Sequence, residues 1–376
     1  MSLNISHTPE GVRDLYGAEL RRKRQVETAV RKAIDSFGYE PIETPTFEFF
    51  DVFSREVGTT PSKDLYKLFD KDGNTLVLRP DFTPPIARCA SIYFMKDKKP
   101  LRLSYEGRTF TNAKSLQGKL QEVTQMGAEL LQDGSVQADA EILILVVSVL
   151  KACGLENFQV SVGHMEYFKG LCEEAGLDPE TEIALREAIS AKNIFAAEEL
   201  LSPFDISEDV KRALLKVTDL FGTVTDLGLA RELAHNARSL AALDRLETLS
   251  RILKAAGVDR YVSYDLGLLS KYHYYTGIIF KAYSYGVGDA IVKGGRYDQL
   301  LHYFGKDAAA VGFAVVVDDV MEALDYQKTA VPAADEVLTL TYDNNEETYL
   351  KALAEAASLR SQGKRVVLTR EVANGF

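Results

Sequence analysis

Residues 264–280 read YDLGLLSKYHYYTGIIF, and this stretch decides how the rest of the chain is to be folded. Tyr264, Tyr272, His273, Tyr274, Tyr275 and Phe280 crowd around Gly267 and Gly277. The tail TGIIFKAY has the β-branched and aromatic content of a strand. A glycine at 277 lets a ligand or a second backbone come close. Taken alone, the stretch is a tyrosine-rich core strand. Tyrosine hydroxyls are also the sparse polar handles with which small-ligand pockets fix orientation.

Three blocks surround it. LRPDFTPPIAR occupies 78–88, KGGRYD 293–298 and AVGFA 310–314. The spacing predicts two short strands, at 65–70 and 76–78, around the turn residues KDGN at 71–74. A helix follows from about Pro84 through Met95, so Asp81 and Thr83 sit at a strand-to-helix junction. Thr83 there reads as a helix cap with prolines in the first turn, or as a polar group facing a pocket. Strands are expected at 101–110 and 122–131, joined by a polar loop. Gln125 and Glu129, four apart on the second, share one face. A helix at 17–37 ends at Gly38 and leads into the extended segment YEPIETPTFE at 39–48. The apolar run ILILVVSVL at 142–150 belongs to a buried helix from 137 to about 153, and a strand follows at 158–162.

Composition narrows the function. The chain has 376 residues, 46% hydrophobic and 26% charged, enough to bury a large core. Lys and Arg number 44 against 55 Asp and Glu, a formal charge of −11, which argues against broad nucleic-acid binding. Cys89, Cys153 and Cys172 form no CxxC pair and no metal-ligand spacing, so neither a metal nor a cofactor is expected. The opening MSLNISHTPEGVRDL lacks the apolar run of a signal peptide, and no run is long enough to span a bilayer. A cytoplasmic protein with reduced thiols is the expectation.

The four blocks, in this order, resemble the catalytic core of histidyl-tRNA synthetase. The resemblance implies an α+β fold of the class II aminoacyl-tRNA synthetase type, an antiparallel sheet flanked by helices. It implies a core domain over residues 1–165 and 257–328, a helical insertion at 166–256, and a partial α/β segment at 332–376. The helix and extended segment at 17–48 are similar to class II motif 1, which builds a dimer interface in that family. Matching positions imply a histidine site. Asp81 and Thr83 would meet the amino group, Gln125 and Glu129 the amino acid and its imidazole, with Tyr274 and Tyr275 beside them and Thr111 near the carboxylate. A carboxylate against an imidazole N–H gives selectivity through a charge-assisted hydrogen bond.

The departures from the family carry as much information. Synthetase arginines that grip phosphate, carboxylate or adenine fall here on Thr111, Ser270 and Asp319, and a Glu-Arg pair falls on Ala113-Lys114. Lysine does not replace arginine as a bidentate phosphate ligand. Adenylyl transfer rests on positioned positive charge, and each lost clamp costs about 2.7–4 kcal/mol by analogy with deleted oxyanion donors. A kept amino-acid pocket with lost ATP contacts resembles the regulatory subunit family of ATP phosphoribosyltransferase. Such a protein has no catalysis of its own. It activates a short-form catalytic subunit, senses L-histidine for feedback, and acts at the first step of histidine biosynthesis, with no nucleic acid or membrane as partner. A divergent histidyl-tRNA synthetase is the alternative, and a synthetase-like binding module for another partner the third reading.

Overall fold

The computed structural model describes residues 7–53, 60–97, 99–112, 120–270, 274–329, 337–343 and 345–371. Ala113, Lys114, Lys271, Tyr272 and His273 of the reading above lie outside them. Helix α1 (Gly17–Asp35) opens the fold and leads through Gly38 (φ +77°) into β1 (Glu40–Pro41). Strands β2 (Phe47–Phe49), β3 (Lys67–Phe69) and β4 (Thr75–Leu78) make a small antiparallel sheet in the order β2-β4-β3. The turn between β3 and β4 carries Gly73 at φ +83°, a conformation glycine adopts without strain, and Asp70 accepts from the amides of Asp72 and Asn74. Helix α2 (Thr83–Tyr93) follows, then the long hairpin of β5 (Leu101–Phe110) and β6 (Glu122–Leu131).

Helix α3 (Val136–Ala152) is capped by Ser135, whose hydroxyl accepts from the Ala138 amide. After β7 (Phe158–His164) come α4 (Met165–Glu174), α5 (Pro179–Ser190), α6 (Ile194–Leu201) and α7 (Glu208–Lys216). The two-residue strand β8 (Phe221–Gly222), α8 (Leu227–Leu233) and α9 (Ala237–Ala255) complete this helical stretch. Strands β9 (Val262–Asp265), β10 (Ile278–Ser284), β11 (Val292–Arg296) and β12 (Ala310–Val316) return to the main sheet, and α10 (Val317–Tyr326) closes it. Last, β13 (Val337–Tyr342), α11 (Glu346–Ser361) and β14 (Arg365–Arg370) form a βαβ unit with its own parallel pair.

The main sheet has nine strands in the order β1-β5-β6-β12-β11-β10-β7-β9-β8. It is antiparallel except where β1 pairs with β5 and β7 with β9. Its β8 edge is contributed from within the helical stretch 166–256, pairing Phe221 with Asp265.

Alternation along the strands divides the two faces. Met126, Ala128 and Leu130 on β6, Val311, Phe313 and Val315 on β12, and Phe280 and Ala282 on β10 lie in one large core with α1, α3, α4, α9 and α10. Within that core the apolar run of α3 is buried on nearly every side, as its sequence requires. The opposite face carries Glu129, Gly127 and Gln125 on β6 and Tyr105 and Gly107 on β5. A second core, made by α2 and the 3-10 segment Leu300–Phe304 with Tyr105, Tyr274 and Tyr297, covers one end of this face.

Candidate functional site

The site is built on the polar face where β5, β6, β12 and β11 lie side by side. Glu129 on β6 stands opposite Leu103 of β5 and Gly312 of β12, and Gly312 in turn stands opposite Gly295 of β11. Four glycines underlie five side chains. Arg79 and Phe82 lie over Gly107, Tyr105 over Gly127, Glu129 over Gly312 and Tyr275 over Gly295. A Cβ at any of these positions would collide with the side chain above it. The glycines therefore form a floor low enough for large polar and aromatic groups to lie flat across the sheet. Gly312→Ala is expected to destabilise the fold by about 1–3 kcal/mol through overpacking against the Glu129 carboxyl. A urea unfolding midpoint unchanged from the parent would show that Glu129 moves aside freely.

Glu129 is only 1% exposed. Thr83 Oγ1 donates to its Oε1 at 2.9 Å, and the Tyr297 hydroxyl donates to its Oε2. Burial pushes its carboxyl up to about 8. The hydrogen bonds from Tyr297 and Thr83 pull the other way, and the charge of Asp81 pushes further up. Asp81 accepts from the Thr83 amide at 3.2 Å and so shapes the first turn of α2. The capping expectation for Thr83 is corrected here. The N-cap residue is Phe82, no side chain caps α2, and the Thr83 hydroxyl is committed to Glu129. Pro84 and Pro85 carry no amide hydrogen, so the first turn of α2 leaves little for that hydroxyl to cap.

The tyrosines form the wall. Tyr274 and Tyr275 have ring centroids 4.5 Å apart, and Tyr274 meets Tyr297 edge-on at 6.0 Å. Beneath them Phe82 stacks on Tyr105 at 4.5 Å, and the Arg79 guanidinium lies 4.0 Å over the Phe82 ring. Arg79 is itself pinned by the carbonyls of Thr44 and Arg108 at 2.7 and 2.9 Å. Gln125 shares the face of Glu129, and its buried Oε1 has no hydrogen-bond partner among the described residues.

Six of the seven expected residues thus lie on or against this face of the sheet: Asp81, Thr83, Gln125, Glu129, Tyr274 and Tyr275. Thr111 stands apart. It lies eight residues beyond Leu103, the partner of Glu129 on β5, which is about 26 Å at roughly 3.3 Å per residue. Its amide pairs with the Gln121 carbonyl at 2.9 Å, and a threonine side chain is too short to span the gap. Two site residues were not assigned from sequence. Tyr297 lay inside the KGGRYD block without a role, and Tyr105 carried no signal beyond alternation with Gly107.

The arginine of that block is a structural anchor. Arg296 is 3% exposed, donates from Nε to Asp139 Oδ1 at 2.8 Å, and reaches Asp298 and the Asp133 and Ser135 carbonyls. Arg245 from α9 takes the other Asp139 oxygen at 2.7 Å.

The positions where synthetases carry phosphate arginines hold no cation. Ser270 is buried, its carbonyl accepting from Arg186 of α5 at 3.4 Å. Asp319 is pushed up to about 6 by burial, which Lys293 opposes and Asp289 reinforces. Its neighbour Asp318 accepts from Lys23 of α1 at 2.7 Å and from the Thr124 amide at 2.8 Å. Among the described residues no cluster of His, Cys, Asp and Glu is arranged to hold a metal ion, and no helix is long and apolar enough to cross a membrane.

Known proteins share this fold. The histidyl-tRNA synthetase family model matches residues 11–320. An ATP phosphoribosyltransferase regulatory subunit from Acetivibrio thermocellus is 40% identical over 362 residues, covering 96% of this chain and 86% of the relative. One from Ruminiclostridium cellulolyticum is 38% identical over 371 residues, covering 97% and 88%. A crystal structure described as an ATP phosphoribosyltransferase regulatory subunit/histidyl-tRNA synthetase from Bacillus halodurans superposes with a TM-score of 0.86. It shares 32% identity and covers 97% of this chain and 93% of that one. Histidyl-tRNA synthetase from Nostoc sp. PCC 7120, at 19% identity and a TM-score of 0.80 over 98% and 86% of the two chains, shares the fold. The chain therefore belongs to the ATP phosphoribosyltransferase regulatory subunit family, built on the histidyl-tRNA synthetase fold.

Proposed function

We propose that this protein is a non-catalytic subunit that binds L-histidine and a short-form ATP phosphoribosyltransferase, activating it and carrying feedback control. One observation carries the reading. On the amino-acid side, Glu129 is held by Thr83 and Tyr297, with Asp81 at the start of α2 and Gln125 on the same strand face. The nucleotide half has Thr111, Ser270 and Asp319 where cations would be needed. Phosphoryl and adenylyl chemistry without positioned positive charge loses its main source of transition-state stabilisation. Histidine can alter the partner only by its differential affinity for the assembly states, typically about 1–3 kcal/mol of coupling.

A dimer through the motif 1-like region belongs to the same proposal. The sheet edge at β1 borders a cavity of about 510 Å³ lined by Pro41, Ile42, Cys89, Tyr93, Leu101 and Leu103 among others. Ile92, Tyr93 and Met95 of this neighbourhood are exposed apolar groups, which supports an interface there.

The deciding experiment combines three measurements on the full chain. L-histidine should bind in a calorimetric titration. Histidine-driven ATP–pyrophosphate exchange should be absent. Added protein should raise the turnover of a short-form ATP phosphoribosyltransferase. Exchange at an ordinary synthetase rate would reject the reading in favour of a divergent histidyl-tRNA synthetase.

A further inference from the structure

Glu129 is a buried carboxyl surrounded by acids. Tyr105 faces it from β5, Asp81 from the segment before α2 and Tyr297 from beyond β11. Neither a lysine nor an arginine nor a histidine pairs with it among the described residues, and its two oxygens meet only the hydroxyls of Thr83 and Tyr297. A carboxylate with no compensating charge is costly in such a place, which favours the neutral acid. Tyr297, whose hydroxyl donates to Oε2, is firmly fixed. Its amide bonds to the Ala310 carbonyl at 2.7 Å and its ring is braced by Tyr274.

We propose that Tyr297 is a positioning residue for ligand recognition, holding Glu129 so that the protein itself supplies the one proton shared between this carboxyl and the imidazole of the bound ligand. The inference rests on the reading of the cleft as an L-histidine site and says how that site would choose its ligand. On binding, a carboxyl O–H gives way to a ring N–H. The lone pair of the ring nitrogen accepts the proton, the carboxylate keeps the O–H electron pair, and nothing leaves for bulk water.

The consequence is a pH profile set by both partners. Free histidine has a neutral ring above about pH 6.5. Glu129 keeps its proton up to about pH 8. Between those limits one proton is present before and after binding. Below them imidazolium enters a site that already holds a proton, so one must be released. Above them one must be taken up. Affinity is therefore greatest on the plateau and falls about tenfold per pH unit on either side. An ordinary carboxylate would place the maximum below about pH 6.5 instead, where imidazolium meets an ionised acid.

The test is calorimetric titration of the full chain with L-histidine across both limbs, repeated on the plateau in two buffers of different ionisation enthalpy. No net proton exchange is expected on the plateau. Tyr297→Phe removes a hydrogen bond that lowers the Glu129 value, so its alkaline limb should move to higher pH while the acid limb stays in place. An alkaline limb arising from the ligand's own ammonium would not move. Should Tyr297→Phe fail to fold, as judged by circular dichroism, the parent's buffer series decides alone. Binding that is maximal below the plateau, independent of pH, or accompanied by proton release on the plateau overturns this inference and leaves the histidine site standing. Absence of histidine binding at every pH removes both.

Discussion

Arg296→Met is expected to lower the unfolding free energy by about 3–5 kcal/mol, the cost of breaking a buried ion pair by removing one partner. Arg296 and Asp139 are 3% and 0% exposed, and their shortest contact is 2.7 Å. Burial works against the charge on Arg296, yet Asp139 and Asp298 outweigh it and hold its pKa above the ordinary value. Burial lifts the Asp139 carboxyl as well, even beside two guanidiniums. The two-pronged geometry, with Arg245 on the far oxygen, keeps the pair ionised. Removing Arg296 leaves Asp139 with one guanidinium and frees the carbonyls of Asp133 and Ser135. Because Asp139 opens α3, Arg245 lies on α9 and Arg296 ends β11, the loss should unfasten the helical stretch from the sheet. Urea unfolding followed by circular dichroism measures it. A change below about 1 kcal/mol, the range of an exposed pair, would show that the network contributes no more than a surface salt bridge.

The second large effect is on binding. Glu129→Ala is expected to weaken L-histidine binding by about 10- to 150-fold, since a hydrogen bond to a charged group contributes about 1.5–3 kcal/mol. The variant also leaves the Tyr297 and Thr83 hydroxyls without their acceptor. Calorimetric titration at the pH of the parent's maximum reads the change, with near-ultraviolet circular dichroism confirming that the aromatic wall is intact. Unchanged affinity would place the ligand elsewhere. Asp319→Ala serves as the contrast. It lies in the first turn of α10 beside Lys293 and Asp289, so histidine affinity should hold.

Much of this arrangement could be read before any coordinates. The limits of β5 and β6 agree with the expected strands, and the KDGN turn joins β3 to β4 as composition suggests. These features depend on neighbours a few residues apart, which periodicity and turn chemistry report directly. The placement of Gln125 and Glu129 on one face also followed from their spacing alone. Local spacing left Thr83 open between a cap and a pocket-facing group, because the partner of its hydroxyl is 46 residues away. The insertion was read as helical, and its helices are there, but the edge strand β8 of two residues was too short to leave a pattern.

What the amino-acid order determined by itself was the kinship, the strand and helix plan, and the loss of cations at 111, 270 and 319, because each is written in residue identity and local spacing. Only the tertiary structure decided that Arg296 is an anchor, that Tyr297 and Tyr105 belong to the cleft, and that Glu129 is buried among acids without a compensating charge. The reason is physical. Burial and hydrogen-bond partnership arise where strands distant in sequence become neighbours, and a carboxyl group acquires its protonation state from those neighbours.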